Sequence, residues 1–326
     1  MTLRVGLLGC GGIAARHVAA VKALSDRLEL VGCCGRDLGR TEDFARGHGG
    51  SPYIDLDQMI DGGIDLLVVT IPPYNRHGEI EHAASRGVHL LVEKPIALDM
   101  AAAERMVSAV ESAGVVAAIG FMYRFGDAVR RWRQVDSGRP GLYVGGYHCN
   151  ALHADWWRKR ASSGGQIIEQ AIHQVDLVRH LVGEPDSVYA RYANLFHQPV
   201  PDYDVEDVSS IIFGWDDGRL ASLSASNIAI PGIWHKEWAI MAERMTGRFT
   251  SWNDAVFTRT TGEMSSEIIA AETDPFVAQL RDLAEAIEQG REPYVPLRQG
   301  AATLRLALAA VQSGREHREL RLADRF

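Results

Sequence analysis

The segment from Leu3 to Ala14 restricts this chain more than any other. Leu3-Arg4-Val5-Gly6-Leu7-Leu8 is a short apolar strand, Gly9-Cys10-Gly11-Gly12 is a glycine-rich turn, and Ile13-Ala14 opens an amphipathic run reaching Leu24. Glycines let the backbone turn tightly and approach a pyrophosphate, and the N–H groups of the helix start then point at the phosphate oxygens. The G-x-G-x-x-A pattern recurs by chance, but between a strand and a helix it predicts a dinucleotide site. Gly9, Cys10, Gly11, Gly12 and Ile13 would surround the phosphates.

Strand and helix continue to alternate behind this turn. Apolar strands are predicted at 3–8, 29–34, 65–70, 88–92 and 115–121, and helices at 13–24, 38–47, 76–86 and 99–113. Continuous apolar runs such as Leu66-Leu67-Val68-Val69 suit a parallel sheet covered on both faces. The rhythm changes after residue 121. Helices at 126–137 and 166–182 precede strand-like runs at 142–149, 187–195, 207–214, 219–227, 235–241, 247–252 and 255–260. Asp216-Asp217-Gly218 reads as a hairpin turn, and helices at 274–289, with Gly290 as its stop, and 299–313 close the chain. The fold class is therefore α/β, with a doubly wound parallel sheet in 1–121 and an α+β domain with a large, mostly antiparallel open sheet in 122–326. A length of 326 residues accommodates two such cores.

The net charge of −8 argues against a nucleic-acid partner. The apolar start breaks at Gly9, unlike a signal peptide, and no run reaches the length of a membrane span. Cys10, Cys33, Cys34 and Cys149 show no metal spacing and read as reduced thiols, which predicts a cytoplasmic protein and no metal site.

Several side chains then invite chemistry. The second strand of such a domain normally ends in an acid that bonds the adenosine ribose; here Gly35 stands there, followed by Arg36. Loss of the carboxylate removes repulsion of a 2′-phosphate and the arginine can pair with it, favouring NADP over NAD, although Asp37 leaves NAD open. The loop Thr70-Ile71-Pro72-Pro73-Tyr74-Asn75-Arg76-His77 follows a strand end and is placed to touch the cofactor through Thr70, Pro72, Asn75 and His77; Asn75 could equally cap a helix. Glu93-Lys94-Pro95 follows another buried strand. There a lysine can donate to a substrate oxygen, and the Lys94-Pro95 bond is a candidate cis peptide. On the helix 166–182, Glu169, His173, Asp176 and His180 share one face, and a carboxylate beside His173 would raise its basicity and fix its orientation.

Together these pieces resemble the Gfo/Idh/MocA oxidoreductase family, the glucose–fructose oxidoreductase and inositol dehydrogenase type. The likeness spans nearly the whole chain, from the Gly9–Ala14 turn through Glu93-Lys94-Pro95 and the His173-x-x-Asp176 helix to Asp274-Pro275-Phe276 and Gly290-Arg291-Glu292-Pro293. It implies a Rossmann domain, an open-sheet domain that mediates homodimers or homotetramers, and hydride transfer between NAD(P) and a sugar, inositol or related polyol. Lys94 would lie near the reacting carbon, His173 would be the general acid/base, and Glu169 and Asp176 would orient it. Glu169 stands where the family usually has aspartate, which lengthens the acid by one methylene, and Ala171 replaces a common glycine. Tyr123, Arg124, His153, Trp157 and Arg158 would line the substrate pocket. Two rival readings remain, an NAD-dependent glycosidase working by oxidation and elimination, and a nucleotide-binding regulator without catalysis.

Overall fold

The computed structural model describes residues 2–150, 154–229 and 234–322. Two compact units emerge, residues 1–122 with 274–301, and residues 123–273 with 302–326.

The first unit is a six-stranded, wholly parallel sheet of β1 (Leu3–Leu8), β2 (Leu28–Cys34), β3 (Ser51–Tyr53), β4 (Leu66–Val69), β5 (His89–Val92) and β6 (Ala117–Ile119), ordered β3-β2-β1-β4-β5-β6. All four residues of β4 are buried, as a central strand covered on both faces requires. The connecting helices are α1 (Gly12–Ala23), α2 (Leu38–His48), α3 (Leu56–Asp61), α4 (Glu79–Ser85) and α5 (Met100–Ala113). Side chains of Asp37, Asp55 and Asp99 cap α2, α3 and α5 by accepting from backbone N–H groups of the first turn, and Gly114 ends α5 in the left-handed conformation. The short β3 and α3 escaped the sequence pattern because neither is long enough to show a period.

The second unit is built on nine strands among the described residues: β7 (Pro140–His148), β8 (Ser187–Ala193), β9 (Val208–Gly214), β10 (Leu220–Ser226), β11 (His235–Ala242), β12 (Met245–Phe249), β13 (Ala255–Arg259), β14 (Ser266–Ile269) and β15 (Leu320–Arg321), ordered β14-β13-β12-β11-β7-β10-β9-β8-β15. Every pairing is antiparallel except β7 with β10. One face buries Tyr143, Ile211, Phe213, Leu223, Trp238 and Ile240, while Val144, Ile212, Val256 and Ile268 are exposed. The helices here are α6 (Asp127–Gln134), α7 (Arg160–Ser163) and α8 (Ile172–Leu181), and a π-helical turn at Ile167–Ala171 precedes α8. A single regular helix over 166–182 was the expectation; the π turn interrupts it.

A buried glutamine row fastens that segment to the sheet. The Gln166 side chain donates to the Asp207 carbonyl and accepts from Ser209 (3.2 and 2.7 Å), Gln170 donates to the Tyr147 carbonyl (3.1 Å), and Gln174 accepts from the Tyr143 hydroxyl (2.5 Å). The Glu206 carboxylate, also buried, accepts from the Ile167 N–H at 3.0 Å. These bonds fix the turn where backbone groups would otherwise lose their regular partners.

The predicted division into 1–121 and 122–326 needs correction in its second half. Helix α9 (Pro275–Gln289) is capped by Asp274 and stopped by Gly290 (φ 61°), but its Phe276, Leu280, Leu283 and Ala284 join the core of α1 and β1. Beyond it, Leu297 N–H donates to the Ala117 carbonyl (2.9 Å) and Ile119 N–H to that of Val295 (3.1 Å), extending the edge of β6. Burial of that apolar face returns 274–301 to the first unit. Helix α10 (Arg298–Glu316) follows. No helix among the described residues is long and apolar enough to cross a membrane.

Candidate active site

In the first unit the glycine turn has the geometry an anion requires. Gly9 has φ +104°, and a Cβ there would stand 2.8 Å from Thr70 Oγ1 and 3.0 Å from Ile71 N, whereas a Cβ at Gly11 or Gly12 would meet nothing within 4 Å. Thr70 hydroxyl donates to the Leu8 and Gly9 carbonyls at 3.0 Å, pinning the turn to the end of β4. Helix α1 has no side-chain cap at Gly11 and no acid in its first turn. Its first N–H groups are therefore left to an external acceptor, with no carboxylate to repel a phosphate. These residues fit a dinucleotide pyrophosphate. Cys10 is half-buried and burial pushes its thiol pKa up; none of the four cysteines is in a disulfide.

The end of β2 bears on the choice of nucleotide. A Cβ at Gly35 would come 2.5 Å from Thr41 Oγ1, so the ribose-binding acid has no room there. Asp37 accepts from Arg40 N–H at 2.9 Å as the cap of α2, and Arg36 is exposed. The loop after β4 differs in part from expectation. Asn75 lies in a 3₁₀ turn (Pro73–Asn75) that opens at half-buried Pro72, and α4 is preceded by Gly78, so Asn75 is not its cap. His77 is exposed, its N–H donating to Glu79 Oε2 at 2.6 Å.

Two buried partners here were missed from sequence. The Arg76 guanidinium donates to the carbonyls of Ile71 (3.0 Å) and Ile96 (2.9 Å) and to that of Pro95, tying the loop after β4 to the loop after β5; burial pulls its pKa down to about 10. His17 of α1 places Nε2 2.7 Å from Glu93 Oε1. Burial alone would raise the Glu93 pKa, but the His17 hydrogen bond and the His17 and Lys94 charges outweigh it and hold the carboxyl below its usual range. Glu93 also accepts from the Lys94 N–H at 3.1 Å, and the Lys94-Pro95 bond is cis, as the sequence suggested. Neither partner shows in a linear pattern: His17 lies 76 residues from Glu93.

In the second unit His173 is buried and its ring lies 4.4 Å above that of Tyr123, nearly parallel at 12°. Tyr123 in turn packs on Trp252 at 4.7 Å and faces Trp238 at 6.4 Å. Burial and the Glu169 charge push the Tyr123 hydroxyl pKa far up, so it remains a neutral donor. Glu169 lies on the π turn and accepts from the Trp157 indole N–H. Asp176 does not serve as the orienting partner of His173 that the helical wheel predicts. Its carboxylate takes a two-point bond from buried Arg124 (2.8 and 2.6 Å) and a third from Thr303 (3.0 Å). The wheel also grouped His180 with His173; instead His180 is set among Arg124, Arg133 and Arg179, and burial with those charges draws its pKa down to about 3. Arg158 pairs with Asp155 at 3.3 Å. His153 lies outside the described residues. Among the described residues no group of three or more His, Cys, Asp or Glu is arranged to hold a metal.

Residues 3–121 match the family profile described as oxidoreductase family, NAD-binding Rossmann fold, and residues 129–246 match the Gfo/Idh/MocA C-terminal domain. The scyllo-inositol 2-dehydrogenase (NAD(+)) of Bacillus subtilis strain 168 is 26% identical over 96% of this chain and 94% of its own length. The inositol 2-dehydrogenase of Rhizobium meliloti strain 1021 is 29% identical over 99% of this chain and 100% of its own. A levoglucosan dehydrogenase solved in complex with NADH and levoglucosan superposes with a TM-score of 0.91 at 18% identity, covering 99% of this chain and 100% of that one. The glycine turn, the parallel six-stranded sheet and the large second sheet thus have one common explanation: the chain belongs to the Gfo/Idh/MocA family of NAD(P)-binding oxidoreductases.

Proposed function

We propose that this protein transfers a hydride between a nicotinamide dinucleotide and the carbon of a secondary hydroxyl or ketone in a sugar, inositol or related polyol. The observation that carries the reading is the coexistence of the glycine turn at Gly9–Ile13, whose helix start has no side-chain cap, with a histidine whose ring plane is fixed by stacking on Tyr123. The dinucleotide, when bound, supplies the hydride acceptor. Gly9, Cys10, Gly11, Gly12 and Ile13 hold its pyrophosphate, and Thr70, Pro72, Asn75 and His77 border it.

His173 takes the proton of the substrate hydroxyl, and Lys94 stabilises the developing alkoxide by charge and hydrogen bonding. Glu93, ionised and held by His17, positions the Lys94 backbone. Glu169, held by Trp157, supplies an acceptor for a substrate hydroxyl. Asp176 acts on His173 only through α8, whose placement its bond to Arg124 secures.

NADP is the preferred nucleotide in this reading. Gly35 cannot be replaced by an acid without displacing Thr41, Asp37 is engaged as a helix cap, and Arg36 is available to a 2′-phosphate. The exposed apolar row of Val144, Ile212, Val256 and Ile268 on the open sheet supports a homodimer or homotetramer formed through that face. Four cysteines outside any disulfide favour a reducing, cytoplasmic setting. The test is His173→Ala, for which turnover falls roughly 100-fold or more while dinucleotide affinity stays nearly intact. Unchanged turnover removes His173 from the mechanism.

A further inference from the structure

A histidine on the apolar side of a nucleotide-binding helix is an unusual choice, because packing alone is better served by an aliphatic side chain. His17 shares that side of α1 with Ala14, Val18 and Val21 and is 1% exposed. Its ring packs at right angles to Phe276 of α9, with the centres 5.2 Å apart. Nδ1 has no hydrogen-bond partner among the described residues, and Nε2 donates to Glu93 Oε1 at 2.7 Å. The other oxygen of that carboxylate, Oε2, accepts from the Lys94 N–H at 3.1 Å, and a Cβ on Gly120 would stand 2.9 Å from it. Glu93 N–H donates to the Val69 carbonyl and Gly120 N–H to that of Val92, at 2.9 and 2.8 Å. The carboxylate is thus wedged between α1 and the ends of β4, β5 and β6, with one oxygen on the helix and the other on the main chain of Lys94. Just past Lys94, Arg76 holds the carbonyls of Pro95 and Ile96. The lysine therefore sits between two anchors, one on α1 and one on the loop after β4.

The first turn of α1 is where the dinucleotide phosphates dock in the dehydrogenase reading, so nucleotide and lysine are indexed to one helix. We propose that His17 is a positioning residue: it binds the Glu93 carboxylate in place of the Lys94 ammonium, and so ties the reach of that lysine to the helix that receives the nucleotide. A buried carboxylate that loses a donor has to take another, because leaving it unsatisfied costs its full desolvation. The Lys94 charge already acts on Glu93. Without His17 the carboxylate turns towards that ammonium and draws it from the substrate oxygen. This rests on the dehydrogenase reading and adds to it a residue that acts only through Glu93.

The test reads Lys94 directly, by trace acetylation of the full chain with acetic anhydride and peptide mass spectrometry. Lys22, exposed on α1 itself, is the internal reference. His17→Met should lower the Lys94 rate relative to Lys22 about 10-fold, since a carboxylate closing on an ammonium favours its unreactive protonated form. His17→Gln, whose amide can donate from the place of Nε2, should stay within about 2-fold of the wild type. His17→Asn, too short to reach Oε1, serves if the Met variant does not fold. In a Glu93→Gln background His17→Met should have no further effect on Lys94, because no carboxylate is left to turn. NADPH affinity by isothermal titration should change less than about 3-fold, since the start of α1 is untouched. Turnover with any sugar that reduces NADP⁺ should fall with the Lys94 rate while the KM for NADP⁺ holds. An unchanged Lys94 rate in His17→Met, an equal fall in His17→Gln, an equal fall at Lys22, an equal loss of NADPH affinity, or the same fall in the Glu93→Gln background would each overturn the proposal. Lys94 acetylation that depends on His17, with no cofactor reduction by any sugar, supports the positioning and sinks the dehydrogenase reading. Cofactor reduction by a sugar, with Lys94 acetylation independent of His17, does the reverse.

Discussion

Replacing Arg124 by methionine should destabilise the second unit severely, and the structure gives the reason. Arg124 and Asp176 are 6% and 1% exposed and are joined by two parallel bonds of 2.8 and 2.6 Å. Methionine fills much of the volume but leaves the Asp176 carboxylate buried, with the Thr303 hydroxyl at 3.0 Å as a much weaker replacement. Removing one partner of a buried pair costs about 3–5 kcal/mol, because the remaining charge has lost both water and counter-ion. Removing both is far cheaper, so Arg124→Met/Asp176→Leu should recover at least about 2 kcal/mol of that loss. The assay is urea unfolding followed by tryptophan fluorescence. All seven tryptophans (Trp132, Trp156, Trp157, Trp215, Trp234, Trp238 and Trp252) lie in the second unit, so the signal reports that unit alone. A loss below about 1 kcal/mol for the single variant, or a double variant no more stable than the single, would refute the view of Asp176 as half of a buried structural pair.

Other consequences are equally open to measurement. His180 is held neutral by burial and by Arg124, Arg133 and Arg179. With its folded pKa drawn down to about 3 from 6.5, the unfolded chain binds the extra proton between those values, so stability rises with pH across that window and is lost as pH falls. His180→Gln should reduce the loss between about pH 6 and 4.5 by about 1–2 kcal/mol, and an unaltered pH slope would show that His180 does not contribute. A Cβ at Gly126 would stand 2.3 Å from the Trp252 carbonyl oxygen, which accepts from Ala128 and Val129, so Gly126→Ala should cost about 1–3 kcal/mol in the same unfolding assay; a neutral result would mean that the backbone yields. Arg36→Ala should weaken NADP binding about 10-fold relative to NAD by isothermal titration, and equal changes for both nucleotides would remove Arg36 from the choice between them.

How much of this was legible in the sequence depends on the range of the interaction. The glycine turn, the central strands and the stop of α9 are local, so Gly9 and Gly290 announce themselves, whereas the Asp99 and Asp274 caps, equally local, were not singled out. The Glu93-Lys94-Pro95 turn and the hairpin between β9 and β10 were readable for the same reason. Asp176 was misread because a helical wheel shows which residues share a face, not what stands opposite; Arg124 and Thr303 arrive from other elements. His17 and Arg76 acquire meaning only through distant partners. The π turn at Ile167–Ala171 has no periodic signature, being anchored by Glu206 and the glutamine row across the sheet. Helix α9 shows a clear pattern, but which core its apolar face joins is a tertiary fact.

The central claim is hydride transfer to a nicotinamide dinucleotide from a sugar-type hydroxyl, and its most direct test is the appearance of reduced cofactor. Purified protein would be assayed with NADP⁺ and NAD⁺ in parallel against sugars, inositols and sugar acids, with Lys94→Ala as the blank. The account predicts substrate-dependent reduction, faster with NADP⁺, that disappears in the blank. Nucleotide binding with no reduction for any substrate, or reduction that persists in Lys94→Ala, would contradict it.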